Sequence, residues 1–237
     1  MCSRFTQIDI GPLLADLLGL LAEPHAPRWN VAPSQEVAAV RAGADSGRQR
    51  VGLRWGLLPP WADDPSLASR LINARSETAA EKPAFRDALR RRRCLVPADG
   101  FYEWSGPPRD RRPWLLRRRD QAPFALAGLW VRWAPPGQPP RETFTLLTTT
   151  PNDVVARLHD RMPVVLPREA FDAWLDPALR DPDALARWWS PAPAVDWEAV
   201  PVGTRVNRTD VEGPECIAPR RAEDDPGATG GGQLTLL

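Results

Sequence analysis

The sequence predicts an α+β chain: one domain built on a mostly antiparallel, barrel-like β-sheet flanked by helices, with a flexible C-terminal tail. Two observations carry this reading. Short apolar runs rich in Val, Leu, Phe and Trp recur between turn signals, while helical spacing is confined to a few stretches between hairpin-like pairs of those runs. A length of 237 residues also supplies one sizeable core without disulfide or metal staples.

Taken in order, Gly11–Leu21 places leucines at helical spacing. NVAPSQEVAAVRA (30–42) and RVGLRWGLLP (50–59) then read as strands. Lys82–Arg93 returns to helical spacing through Phe85, Ala88 and Leu89. RCLVPADGFYEW (93–104), RPWLLRR (112–118), PFALAGLWVRW (123–133) and ETFTLLTTTP (142–151) form a second group of strands. Arg168–Leu175 and Asp183–Trp189 are helical, and VPVGTRVN (200–207) closes the domain as a strand. From Gly213 onward Gly, Pro and charge dominate, which sets a domain at 1–212 and a disordered tail at 213–237.

Several classes of protein are disfavoured. No apolar run reaches membrane-spanning length, and Asp16 interrupts Leu13–Leu21 with no cleavage site behind it, so the expected location is the cytoplasm. Cys2, Cys94 and Cys216 form no CxxC pair and no Cys/His cluster, so neither a disulfide framework nor a bound metal is expected, and no cofactor. The net charge of +1 selects no partner, yet Lys82 is the sole lysine and every other cation is an arginine. Codon usage accounts for that bias; a guanidinium fork also suits phosphate, so nucleic acid stays open.

Five stretches are unlike scaffold. MCSRF puts Cys2 behind the initiator, so that removing Met1 leaves an α-amine and a thiol on adjacent carbons. NARSET (73–78) packs an amide, a guanidinium, a hydroxyl and a carboxylate into six residues. VPADGFYEW holds Glu103 between two aromatics, TTTPN (148–152) ends a strand in three hydroxyls, and LHDRMPVVL carries His159. Singly, each suits a turn, a solvated strand end or a loop. Together they supply a nucleophile, acid–base groups and an anion clamp. Read from the residues, a thiol peptidase using Cys2, His159 and Glu103 and a non-catalytic single-strand binding module both fit.

The ordered set MCSRF, RWGLLPPWA, INARSET, RCLVPADGFYEW, FALAGLW, TFTLLTTTPN and LHDRMPVVL resembles the SOS response-associated peptidase (SRAP) family from Cys2 to about Asn207. These are proteins that process abasic sites and cross-link themselves to DNA. Ser3 departs from the glycine usual in that family, narrowing backbone freedom without removing a reacting group. The resemblance implies removal of Met1 and capture of a ring-opened abasic sugar by Cys2. An α-amine with a pKa of about 8 is partly neutral at neutral pH, and its Schiff base closes onto the neighbouring thiol as a thiazolidine.

By the same resemblance Glu103 positions the amine and shuttles protons, His159 acts as general acid toward the sugar oxygen, and Asn73 holds the sugar. Arg4 and Arg75 clamp phosphates, and Thr149 joins the DNA-contacting positions. Trp61 and Trp104 are candidates for stacking on flanking bases. The expected target is single-stranded or junction DNA bound with little sequence preference by a monomer. Arg90–Arg93 and Arg117–Arg119 either widen the basic surface or, in the first run, complement a helix C-terminus.

QLTLL at 233–237, behind GATGGG, is apolar for such a tail. It is similar to the peptides by which bacterial repair proteins dock on the sliding clamp, with Gln233, Leu234, Leu236 and Leu237 as anchors on a glycine tether. Deleting Gln233–Leu237 should abolish clamp binding in a pull-down while leaving reaction with oligonucleotides unchanged. Clamp affinity that survives the deletion removes the idea.

Overall fold

A computed structural model describes residues 2–18, 25–43, 47–107 and 109–220; the four proposed clamp anchors lie outside the described residues. Short apolar runs between turn signals form strands: β1 (Phe5–Gln7), β2 (Arg28–Val31), β3 (Glu36–Ala42), β4 (Arg48–Trp55), β5 (Asn73–Arg75), β6 (Arg93–Ala98) and β7 (Gly100–Ser105). The second half adds β8 (Arg112–Arg118), β9 (Phe124–Trp133), β10 (Arg141–Thr149), β11 (Met162–Pro163), β12 (Val165–Leu166) and β13 (Trp197–Pro201). The helices are short: α1 (Gly11–Leu18), α2 (Ser76–Ala79), α3 (Arg86–Arg91), α4 (Phe171–Leu175) and α5 (Pro182–Ala186).

Five strands close a barrel in the order β10–β4–β3–β6–β9, with β9 returning to β10 from Arg141↔Trp133 to Leu146↔Gly128. The sheet is antiparallel as expected, with one exception that matters for the site. One edge of β10 is shared by two parallel partners: β4 pairs at Thr143↔Arg54 and Phe144↔Trp55, then β5 takes over at Leu146↔Asn73 and Thr148↔Arg75. A second sheet, β13–β8–β7–β1–β2, carries the start of the chain.

Alternation sorts the core into two faces. Leu53, Trp55, Val96, Leu126, Phe144 and Leu146 meet Phe5 and Phe101 of the second sheet. Their strand neighbours Val40, Leu95, Ala127 and Leu147 pack under α1, α3 and α4. The run Arg90–Arg93 divides accordingly. Arg90 and Arg91 are exposed, whereas Arg93 is buried and donates to the carbonyls of Leu89, Trp174 and Asp176 at two helix ends. Arg93 therefore leaves the helix expected over Lys82–Arg93 and begins β6.

Other expectations need revision. NVAPSQEVAAVRA is two strands, split by a turn with Ser34 at φ 72°. The segment 213–220, assigned to the tail by composition, is packed on the domain. Cys216 is fully buried beside Tyr102 and Val206, Val202 bridges Pro219, and the Arg220 amide donates to Pro201 O at 3.0 Å. Three apolar residues (Val211, Cys216 and Ile217) and a few backbone bonds suffice, although Gly, Pro and charge dominate the average.

The tightest point inside the barrel is Gly128, where a Cβ would stand 2.6 Å from Cys94 Sγ and 3.2 Å from Val96 Cγ2. Gly128→Ala should destabilise the protein by about 2 kcal/mol in urea unfolding. Cys94→Ala in the same chain should recover part of that loss, because it removes the clashing sulfur.

Candidate active site around Cys2

The site grows from the register of three strands. Antiparallel pairing of β1 with β7 sets Phe5 opposite Phe101, and the Tyr102 amide donates to Arg4 O at 3.0 Å. Continuing that pairing toward the chain start brings Glu103 level with Cys2 and Ser3. From the other side, β5 hands in Asn73, whose Nδ2 donates to the Cys2 carbonyl at 2.7 Å. Asn73 Oδ1 is buried and has no hydrogen-bond partner among the described residues.

Burial dominates the electrostatics. Cys2 is fully buried, and its thiol lies 3.6 Å from Arg4 O. Loss of solvent, and secondarily the Glu103 charge, drives the thiol pKa well up, so sulfur is protonated at neutral pH. Glu103 is 3% exposed, and burial pushes its carboxyl up to about 7. The Glu103 charge acts on Cys2, and Asp160 acts on both Glu103 and His159, which places all three in one electrostatic field.

His159 follows a 3₁₀ turn at Val155–Arg157 that Asn152 caps, its Oδ1 accepting from the amides of Val154 and Val155. TTTPN thus builds the turn that presents the histidine. Burial lowers the His159 pKa, so the ring is neutral at neutral pH. Its Nδ1 lies 3.0 Å from the Arg161 amide and 2.9 Å from Asp160 Oδ1.

The remaining sequence candidates are dispersed. Arg75 is exposed at the end of β5, in register with Thr148, and Thr149 is nearly buried opposite Met162. Trp104 follows Glu103 on a strand, so it faces away, onto Tyr102 and Arg4. Its indole donates to Asn207 Oδ1 at 2.7 Å. Arg4 is half-buried, and one guanidinium nitrogen is held by Asn30 Oδ1 at 2.7 Å and Val206 O at 2.8 Å. Strand alternation therefore sets Arg4 and Trp104 behind the Glu103 face. Trp61 is 59% exposed, and no described contact links it to Cys2.

Sequence reasoning missed Glu77 and Arg161, although both lie inside stretches it had singled out. Arg161 grips Glu77 with two bonds of 2.7 and 2.8 Å and donates to Thr148 O at 2.6 Å. Opposite charges in NARSET and LHDRMPVVL were the available signal. Among the described residues, no group of three or more His, Cys, Asp or Glu is placed to hold a metal. Cavities of about 670 and 700 Å³ lie elsewhere, around His25 and Arg50 and around Phe124 and Trp188, and neither includes Cys2.

Comparison with known proteins places the chain in a family. A family model described as SOS response associated peptidase (SRAP) matches residues 1–209. The abasic site processing protein YoqW of Bacillus subtilis (strain 168) is 41% identical over 229 residues, covering 92% of this chain and 99% of that protein. The abasic site processing protein HMCES of Gallus gallus is 33% identical over 208 residues, covering 76% of this chain and 60% of that protein. A crystal structure of a Bacteroides thetaiotaomicron protein superposes with a TM-score of 0.78 over 93% of this chain and 100% of that one; at 22% identity this is likeness of fold.

A carboxyl raised to about 7 binds its proton in the folded chain at pH values where the unfolded chain, at its ordinary value near 4.5, has lost it. Its contribution to stability therefore falls as pH climbs from about 4.5 to 7, by up to roughly 3 kcal/mol. Glu103→Gln should raise Tm relative to the unmodified protein at pH 8 and leave it unchanged at pH 4. Equal melting at both pH values means the carboxyl is not desolvated.

Proposed function

This chain belongs to the SOS response associated peptidase family, and on that footing we propose that it processes abasic sites by trapping them in single-stranded DNA as a thiazolidine on Cys2. The observation that carries the reading is a fully buried Cys2, its carbonyl held by Asn73, beside a carboxyl whose pKa is about 7. The curated relatives bear the description abasic site processing protein.

Hydrolysis of the Met1–Cys2 bond frees the Cys2 amine. That amine attacks the aldehyde carbon of the ring-opened sugar, and its proton passes to the carbonyl oxygen to give a carbinolamine. A proton from Glu103 then lets the hydroxyl leave as water while the neutral His159 ring donates a hydrogen bond to the sugar oxygen, and an iminium remains. Cys2 Sγ adds to the iminium carbon while Glu103 accepts the thiol proton. One C–N and one C–S bond form and one water is released. A carboxyl titrating near 7 is present in both forms at neutral pH, so it can give a proton in one step and take one in the next.

A thiol held protonated by burial disfavours a peptidase acting on other proteins, because attack on an unactivated peptide carbonyl needs a thiolate. The exposed Arg75 suits a phosphate on the rim, and Trp61 suits a flanking base. A clamp-docking tail would hold this activity near replicating single strands.

Incubation with a single-stranded abasic oligonucleotide should yield a conjugate that survives heat on a denaturing gel. Cys2→Ala should eliminate it, as should any change that keeps Met1 attached. Glu103→Gln should slow its formation by roughly 10²-fold. Cleavage of added peptides without a conjugate would favour the peptidase, and a shift seen only on native gels would leave a binding module.

A further inference from the structure

We propose that the Glu77–Arg161 ion pair is a positioning device that fixes which nitrogen of His159 carries the proton. Three separate segments meet at this pair. Glu77 sits in α2 directly behind β5, Thr148 lies at the end of β10, and Arg161 ends the turn that carries His159. The Arg161 fork binds both Glu77 oxygens, at 2.7 and 2.8 Å, and its Nη2 also reaches Thr148 O at 2.6 Å. The Arg161 side chain is 11% exposed and Glu77 is 48% exposed, so the guanidinium is covered while the carboxylate reaches solvent. Planar two-point contact of this kind fixes orientation as well as distance.

Two groups compete for His159 Nδ1. The Arg161 backbone amide, at 3.0 Å, can only donate, and it requires a bare Nδ1 with the proton on Nε2. The Asp160 carboxylate, at 2.9 Å, can only accept, and it favours the opposite tautomer. The two are unequal in freedom. Asp160 is 84% exposed and turns into water at little cost. The amide is held in place, because the guanidinium of its own residue is fastened to both Glu77 and Thr148. The ion pair decides the contest in favour of Nε2–H.

The consequence for chemistry rests on the function proposed above: a neutral imidazole donates through Nε2 only when its Nδ1 is occupied as an acceptor. Among the described residues the charges acting on the ring are Asp160 and Arg161, and burial keeps the ring neutral. A looser turn wets the ring, removes the amide bond and lets Asp160 hold a proton on Nδ1. All three changes favour the imidazolium, so the His159 midpoint rises when the clamp is lost.

The chain has two histidines, which makes the test direct. Long-range ¹H–¹⁵N NMR of the full chain reads each tautomer and its titration without DNA, and His25 serves as the internal control. The unaltered protein should show His159 as Nε2–H at pH 8. Glu77→Gln, which keeps size and removes charge, should let Nδ1 protonation appear and raise the midpoint by about 0.5 pH toward the ordinary imidazole value. Arg161→Met should do the same, and Arg161→Lys should restore little because an ammonium lacks the fork. Cross-linking by Glu77→Gln should slow about 10-fold, with its pH profile displaced in the same direction.

A folded Glu77→Gln protein whose His159 tautomer and midpoint match the unaltered chain overturns the proposal and leaves the pair as a strut. If Arg161→Met fails to fold, Glu77→Gln alone decides. A tautomer change in a protein that never cross-links DNA upholds the positioning role and refutes the proposed function, so the two failures are distinguishable.

Discussion

The amide of Gln7, sealed between the two sheets, is the constraint on which the rest of this structure depends. Its side chain is fully buried, and Nε2 donates to Ala38 O at 2.9 Å and Pro97 O at 2.8 Å while Oε1 accepts from the Ala38 amide. Asp99 completes the anchorage by accepting from the Thr6 hydroxyl and the amides of Ile8 and Asp9. Chain ends ordinarily fray. Here the Gln7 side chain is bonded in a dry interior, where an orphaned partner costs about 1–3 kcal/mol. Cys2 stands only five residues upstream of Gln7, so its position follows from that anchorage.

Dryness then does the chemical tuning. The exclusion of water that makes the Gln7 bonds firm also moves Glu103 toward neutrality and holds the Cys2 thiol protonated. Polar groups inside such a site must be aimed, because none can be rescued by solvent. Asn73 and Thr148 are aimed by strand register and His159 by a capped turn. Stability and reactivity thus draw on one property, and a change that wets the barrel mouth would alter both.

Much of this was legible in the chain. Apolar runs between turn signals located the long strands, because strands buried on both faces are apolar along most of their length, and helical spacing found α1, α3, α4 and α5. The losses have physical causes. β1 and β5 span three residues each, too few for a period to show. The end of the body was missed because composition averages over Val211, Cys216 and Ile217, the residues that pin it. Glu103 and Trp104 were read together as one motif, although neighbours on a strand face opposite ways. The meeting of Glu77 with Arg161 is set by tertiary register across 84 residues, and no local pattern encodes it.

The change of partner along β10 has an evolutionary consequence. Residues 56–72 leave the barrel wall after β4 and re-enter as β5 on the same edge, and the Trp55 indole donating to Ile72 O at 2.8 Å spans the notch. Both flanks are indexed by β10, so the sheet does not dictate the length of the excursion between them. The loop bearing Trp61 is thus a replaceable panel on a fixed barrel. Descendants of this fold can lengthen or recompose it, and so change what they grip, while Cys2 and its neighbours stay where they are.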